Sequence, residues 1–178
     1  MPEQIADLVA HHPLLAGLPG NAVELVAGCA QNVAVSPGQL LLAEGEPANS
    51  LYLVRRGRVA IEVHAPGREA MVIETLGPGD VVGWSCLFPP FVWQFDVRAT
   101  SPVGAISVDA VCLRSKAETE PDFGYALMKR LASIMLDRLQ ATRVRLLDLY
   151  SEGGGKATEP RAWLAAIRRA PGETTTAR

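Results

Sequence analysis

The chain has 178 residues, 48% of them hydrophobic and 20% charged, with a net charge of -2 and a pI of about 5.9. These values fit one globular core with a short appendage, and they exclude a chain that is basic overall, the usual footprint of nucleic-acid binding. No apolar run reaches the ~20 residues of a membrane helix, and the N-terminus carries Glu3 and Asp7 where a secretory signal would be basic and then apolar.

The first thirty residues read as two short helices. "IADLVAHHPLLAGL" and "NAVELVAGCA" space their apolar residues by three and four, with Pro19, Gly20 and Asn21 between them. His11 and His12 fall at the break before Pro13, as a helix end and its cap. From Val33 to Ser107 the texture changes to short apolar runs between glycine turns: "VAV", "LLLAEG", "SLYLVRRG", "RVAIEVHAPG", "AMVIETLGPGD", "VWQFDVRAT" and "VGAISV". Runs of this length with regular turn signals predict an antiparallel sandwich or barrel. Pro66 and Gly67 predict a hairpin turn between two of these strands. Val59, Ile61 and Val63 share one face of theirs.

From Pro121 to Tyr150 the period lengthens to that of a long helix, with Pro121 at its first position and Asp122 complementing its dipole. Met128, Met135, Thr142 and Leu149 recur every seven residues, with Ala132, Leu139 and Leu146 beside them, which makes a coiled-coil-like seam. Leu127, Leu131 and Ile134 add a second apolar face in the first half alone. One face can pack on the barrel, and the seam then meets a second copy, so a homodimer through helix 121–150 is expected. Residues 151–178 form the remainder: a linker, "SEGGGKATEP", and then "RAWLAAIRRA", too short to be a stable helix alone and a candidate contact for a protein partner.

Cys29, Cys86 and Cys112 are odd in number and widely spaced, which predicts a reducing cytoplasm and no disulfide framework. No C-x-x-C pair occurs, and with only three histidines no metal site is expected.

From Pro13 to about Tyr150 the pattern resembles the cyclic-nucleotide-binding domain family of the catabolite-activator type. The resemblance rests on "HPLLAGL", "SPGQLLLAEGEPANSLYLVRRGRVAIEV" and "LGPGDVVG", with glycines 38, 45, 57, 79 and 83 where that family turns. It implies a mainly β fold: an antiparallel double-stranded β-helix, or jelly roll, flanked by N-terminal helices and a long C-terminal helix. Residues 1–150 then form the domain. The ligand would sit in the barrel, and the long helix would dimerise and cover it.

The resemblance gives the stretch "GWSCLFPPFVWQFDVRA", residues 83–99, the place of the phosphate-binding cassette. In that family a glutamate accepts from the ribose 2'-hydroxyl and an arginine pairs with the cyclic phosphate. Here Gly83 and Leu87 hold the first part of the pattern, and Val97 and Ala99 the last. Trp84 stands at the glutamate position. Trp93 stands at the arginine position, with Gln94 as the alternative and Phe95 at a small-residue position. Loss of the arginine alone would cost a buried anion ~2–5 kcal/mol. The N–H groups from Gly83 through Ser85 to Cys86 offer an anion only a weak residual contact. Arg98 should point to the other face of its strand. "LQATR" puts Thr142 and Arg143 where the family reaches the base. No cofactor is expected, since a cyclic nucleotide lacks its usual partners.

The family's regulators continue into a helix-turn-helix domain, and residues 151–178 are too few for one, so direct DNA binding is not expected. The sequence therefore predicts a non-enzymatic regulatory or ligand-sensing module that does not bind cyclic AMP in the family's manner. The alternatives are a cyclic-nucleotide sensor with a rebuilt pocket, Arg98 or Arg143 taking the phosphate, and a transcription-regulator component acting through another DNA-binding subunit.

Overall fold

The structure, a computed structural model, describes residues 4–64 and 69–152, with side chains through residue 147. The predicted turn at Pro66 and Gly67 and the predicted tail helix lie outside the described residues. The chain divides into two compact units, Met1–Ile134 and Met135–Arg178.

The first unit opens with α1 (Ile5–Ala10) and α2 (Ala22–Ala27), joined through a 3-10 turn at Pro13–Leu15. Eight strands follow: β1 (Ala30–Val35), β2 (Leu40–Leu42), β3 (Ser50–Arg56), β4 (Val59–Val63), β5 (Met71–Leu76), β6 (Val81–Val82), β7 (Asp96–Ala99) and β8 (Val103–Asp109). They form two four-stranded sheets, ordered β1-β8-β3-β6 and β2-β7-β4-β5. Every pairing is antiparallel. This is the jelly roll that the glycine-punctuated strands predict.

β8 is the keystone of the first sheet. It pairs with β1 from Ala30–Val108 to Val35–Val103 and with β3 on its other edge. All its residues but the last are buried. One apolar core joins the inward faces of both sheets to Leu8, Val9, Leu14 and Val26 of the N-terminal segment. β1 starts at Ala30, three residues before the predicted run, because pairing with β8 continues past the local sequence signal.

The five glycines at 38, 45, 57, 79 and 83 all adopt positive φ. Gly57, in the turn from β3 to β4, is the most constrained, since a Cβ there would lie 2.2 Å from the carbonyl oxygen of Pro102.

His12 caps the 3-10 turn, its Nδ1 accepting from the Leu14 N–H at 3.2 Å. This is the cap role its place before Pro13 predicts. The residue is 4% exposed, and its Nε2 finds no hydrogen-bond partner. Burial lowers its pKa from the ordinary 6.5, partly opposed by the nearby Asp80 and Val54 backbone and the Asp80 charge. The folded value thus lies below the unfolded one, so the unfolded chain takes up the proton first. Stability is full above the unfolded pKa and falls as pH drops through it. Tm should therefore decline more steeply below about pH 6.5 in the unmodified protein than in His12→Asn, which keeps a capping acceptor. Equal slopes in thermal scans across that range would refute a buried neutral His12.

Two features depart from the sequence expectation. Cys29 and Cys112 form a disulfide, with Cα atoms 5.7 Å apart and a sequence separation of 83. The β1–β8 register makes the pairing, since the Asp109 N–H donates to the Cys29 carbonyl at 2.8 Å and Cys112 follows within one turn. Spacing along the chain carries no trace of it. The second departure is a helix not predicted, α3 (Ala110–Thr119), which starts at an Asp109 cap whose side chain accepts from the Cys112 N–H at 2.7 Å.

The long helix α4 spans Pro121–Glu152, within one turn of the predicted bounds. In its first half Phe123, Leu127 and Leu131 are buried in the core, and Met128 is exposed. In the second unit Leu136, Leu139, Val144, Leu146 and Leu147 are exposed. One apolar face of α4 is thus buried, and the helix carries further apolar residues that nothing within the described residues covers.

Candidate functional site

The cassette stretch connects β6 to β7. Gly83 adopts φ 87° and starts a 3-10 turn, Trp84–Leu87. A Cβ at Gly83 would lie 3.0 Å from the Ser50 carbonyl oxygen and 3.0 Å from Cζ3 of Trp93. The Trp93 indole therefore packs against the start of the turn, in a place only glycine leaves open. Trp93 is 5% exposed and belongs to the core. Its N–H donates to the Glu46 carbonyl, and its own carbonyl accepts from the Gly45 N–H, both at 2.9 Å. The loop after β2 thus clamps the backbone that carries the ring.

Trp84 is half-buried against the same core, and so is Leu87. Ser85 is half-buried and accepts from the Phe88 N–H through its carbonyl at 3.2 Å. The Cys86 N–H donates to the Gly83 carbonyl at 3.1 Å, which closes the turn. The Cys86 thiol is free and fully buried, and burial pushes its pKa up to about 12. It is a small apolar filler, unreactive at neutral pH.

The loop then passes a cis bond between Pro89 and Pro90 and a left-handed Phe91, at φ 56°. Gln94 is exposed, and its Nε2 donates to the Val92 carbonyl at 3.2 Å, back onto its own loop. Phe95 is exposed. β7 begins only at Asp96, so the predicted run "VWQF" is loop rather than strand. Its backbone is committed to the β2–β3 loop: a bridge joins Pro47 to Val92, and Ala48 N–H donates to the Phe91 carbonyl at 2.8 Å.

Arg98 stands between buried Val97 and Ala99, on the opposite side of β7 from the core. Its Nε donates to both carboxylate oxygens of Glu62 at 3.2 and 3.0 Å, and Nη1 donates to the Gly38 carbonyl at 2.9 Å. The guanidinium thus ties β7 to β4 and to the turn before β2.

One residue of the site has no counterpart in the sequence reading. Arg114 of α3 donates through Nη1 to the Cys86 carbonyl, and its guanidinium lies 4.5 Å from the Phe91 ring centroid. It touches both the 3-10 turn and the loop that follows it. The signal for it was an arginine five residues after a helix-capping aspartate, visible only once α3 is recognised. Thr142 and Arg143 lie in the second unit, both exposed. The Thr142 hydroxyl donates to the Arg138 carbonyl at 2.9 Å, one turn back. A cavity of about 330 Å³ opens at His11, His12, Pro13 and Arg55, lined by none of the predicted site residues. No cluster of metal-ligating side chains occurs among the described residues.

The sixth and seventh strands of the jelly roll are joined by a short turn and loop packed on its core. Residues 32–120 match the cyclic nucleotide-binding domain, and the chain belongs to that family. It is 29% identical over 143 residues to a CRP-like cAMP-activated global transcriptional regulator of Mycobacterium tuberculosis, across 80% of this chain and 62% of that protein. It is 27% identical over 139 residues to Glutaminase 2 of Bradyrhizobium diazoefficiens, across 77% of this chain and 22% of that one. The chain thus spans less than two thirds of either relative. The fold is shared with a cyclic nucleotide-binding domain from Methylobacillus flagellatus, with TM-score 0.72 and 20% identity over 88% of this chain and 85% of that one. One relative is named as a regulator and the other as an enzyme, so the barrel recurs as a module in chains of different activity.

Proposed function

We propose that this chain is a non-enzymatic regulatory module whose barrel is closed to cyclic nucleotides in the family's binding mode. It works as a homodimer through α4 and signals through protein contacts. The observation that carries this reading is the Trp93 indole packed against Gly83. A cyclic phosphate in the family's mode needs that volume and an arginine, and here the volume holds an apolar ring. The nearest arginine of β7, Arg98, is spent on Glu62 and Gly38. Moving it inward would leave the Glu62 carboxylate without the charged Nε–H that both its oxygens share.

Titration with cyclic AMP and cyclic GMP tests the reading, because both cassette tryptophans report on the site. Up to about 1 mM nucleotide, fluorescence and Tm should stay unchanged, whereas occupancy at 100 times Kd would add ~2.7 kcal/mol and raise Tm by several degrees. The double variant Trp84→Glu with Trp93→Arg should gain weak binding. Saturable micromolar binding to the unmodified protein would overturn the proposal and favour a rebuilt pocket.

A further inference from the structure

The disulfide sits where it reaches the cassette through a single short helix. Cys112 lies in the first turn of α3, and Cys29 lies at the junction of α2 and β1. One turn further along α3, Lys116 packs on the same neighbour: a Cβ at Gly28, the residue that ends α2, would lie 2.7 Å from its Nζ. Between these two contacts, Arg114 holds the Cys86 carbonyl and the Phe91 ring. α3 is therefore pinned to the N-terminal helices by one covalent bond and to the cassette by one guanidinium two residues away.

We propose that Cys29–Cys112 is a thiol–disulfide switch that sets how firmly α3 holds the cassette. The inference does not depend on whether the barrel accepts a nucleotide. The two residues differ in burial: Cys29 is buried and Cys112 is only partly buried. A dithiol reductant of the thioredoxin class attacks at Cys112, forms a mixed disulfide there and releases Cys29 as the leaving thiolate, which takes a proton. The reductant's second thiolate then attacks its own sulfur in the mixed disulfide and releases Cys112. Two electrons and two protons reach the protein, and the reductant departs as a disulfide. The released Cys29 thiol already has an acceptor, since the Leu25 carbonyl lies 3.6 Å from its sulfur. The reduced form thus keeps α2 intact and loses only the covalent tie to α3. Where thiol reductants are present, a disulfide of this kind is transient and redox-sensing rather than a fixed staple.

The test compares the full chain equilibrated in oxidised glutathione with the full chain equilibrated in excess dithiothreitol, both under native conditions. Alkylation and mass spectrometry should find Cys29 and Cys112 blocked in the first and labelled in the second, with Cys86 protected in both. Amide hydrogen exchange should speed by about tenfold or more over residues 84–91 and 110–119 on reduction, by local opening, while β3 and β8 stay unchanged. Cys112→Ser should reproduce the reduced pattern and no longer respond to reductant. If that variant fails to fold, the two redox forms of the unmodified chain still decide the matter. A bond that forms in neither buffer, one that reduces only on global unfolding, or reduction that leaves exchange at residues 84–91 unaltered would each overturn the switch.

Discussion

Gly57→Ala should lower Tm by roughly 6–12 °C, the largest effect expected of any single methyl group in the barrel. Two costs add. Alanine at φ 81° occupies the left-handed region at ~1–2 kcal/mol. The new Cβ would also lie 2.2 Å from the Pro102 carbonyl oxygen and 2.9 Å from the Val103 Cα. Those atoms are backbone at the start of β8, so no side chain can rotate away. Together the costs come to about 3 kcal/mol, which gives the Tm shift for a chain of this size. Gly38→Ala is the control. Its φ is 83° and a Cβ there meets nothing within 4 Å, so it should show the conformational cost alone. Equal losses at the two positions, measured by thermal unfolding, would show that backbone approach at β8 is not the source.

Glutamate at both Met135 and Leu139 should convert a dimer into a folded monomer. Leu139 is 49% exposed and Leu146 45%, on a helix whose buried face is already used by Phe123, Leu127 and Leu131. Covering such residues in a seam is worth ~1.5–3 kcal/mol per side chain. Two substitutions in each of two protomers remove four, and since each side chain is already about half covered, roughly 3 kcal/mol is lost, about a 10²-fold weaker association. The expected result is half the sedimenting mass with an unchanged barrel by circular dichroism. A monomer for the unmodified protein at micromolar concentration would remove the helix from the interface.

The jelly roll was legible because its turns demand glycine. A residue at positive φ leaves a mark that composition and position share, and five such marks fell between apolar runs. α4 was legible for a similar reason, through Pro121 at its start and its seven-residue repeat. α3 was not, because "AVCLRSKAET" has no amphipathic rhythm. Its cap, Asp109, is read as a strand end until the register of β8 is known. The disulfide was illegible in the strict sense, since only the pairing of β1 with β8 makes two cysteines 83 residues apart neighbours. At the cassette the identities of Trp84 and Trp93 were plain. Strand alternation already placed Arg98 on the face away from the core; what the sequence concealed was its partner, Glu62, and Arg114, brought in from an unpredicted helix.

The register of β8 also dictates the order in which the protein can come into being. β1 has no partner in the first sheet until residues 103–109 are present, since it pairs with β8 alone, whereas β3 can already pair with β6. A nascent chain that has exposed β1 must hold an unpaired edge until the strand some seventy residues later arrives. Closing so long a loop comes before any contact that rewards it, which places the barrel among slow, non-local folders. During that interval the apolar strands are bare, and the protein's exposure to aggregation is greatest while it is being made rather than after it is finished.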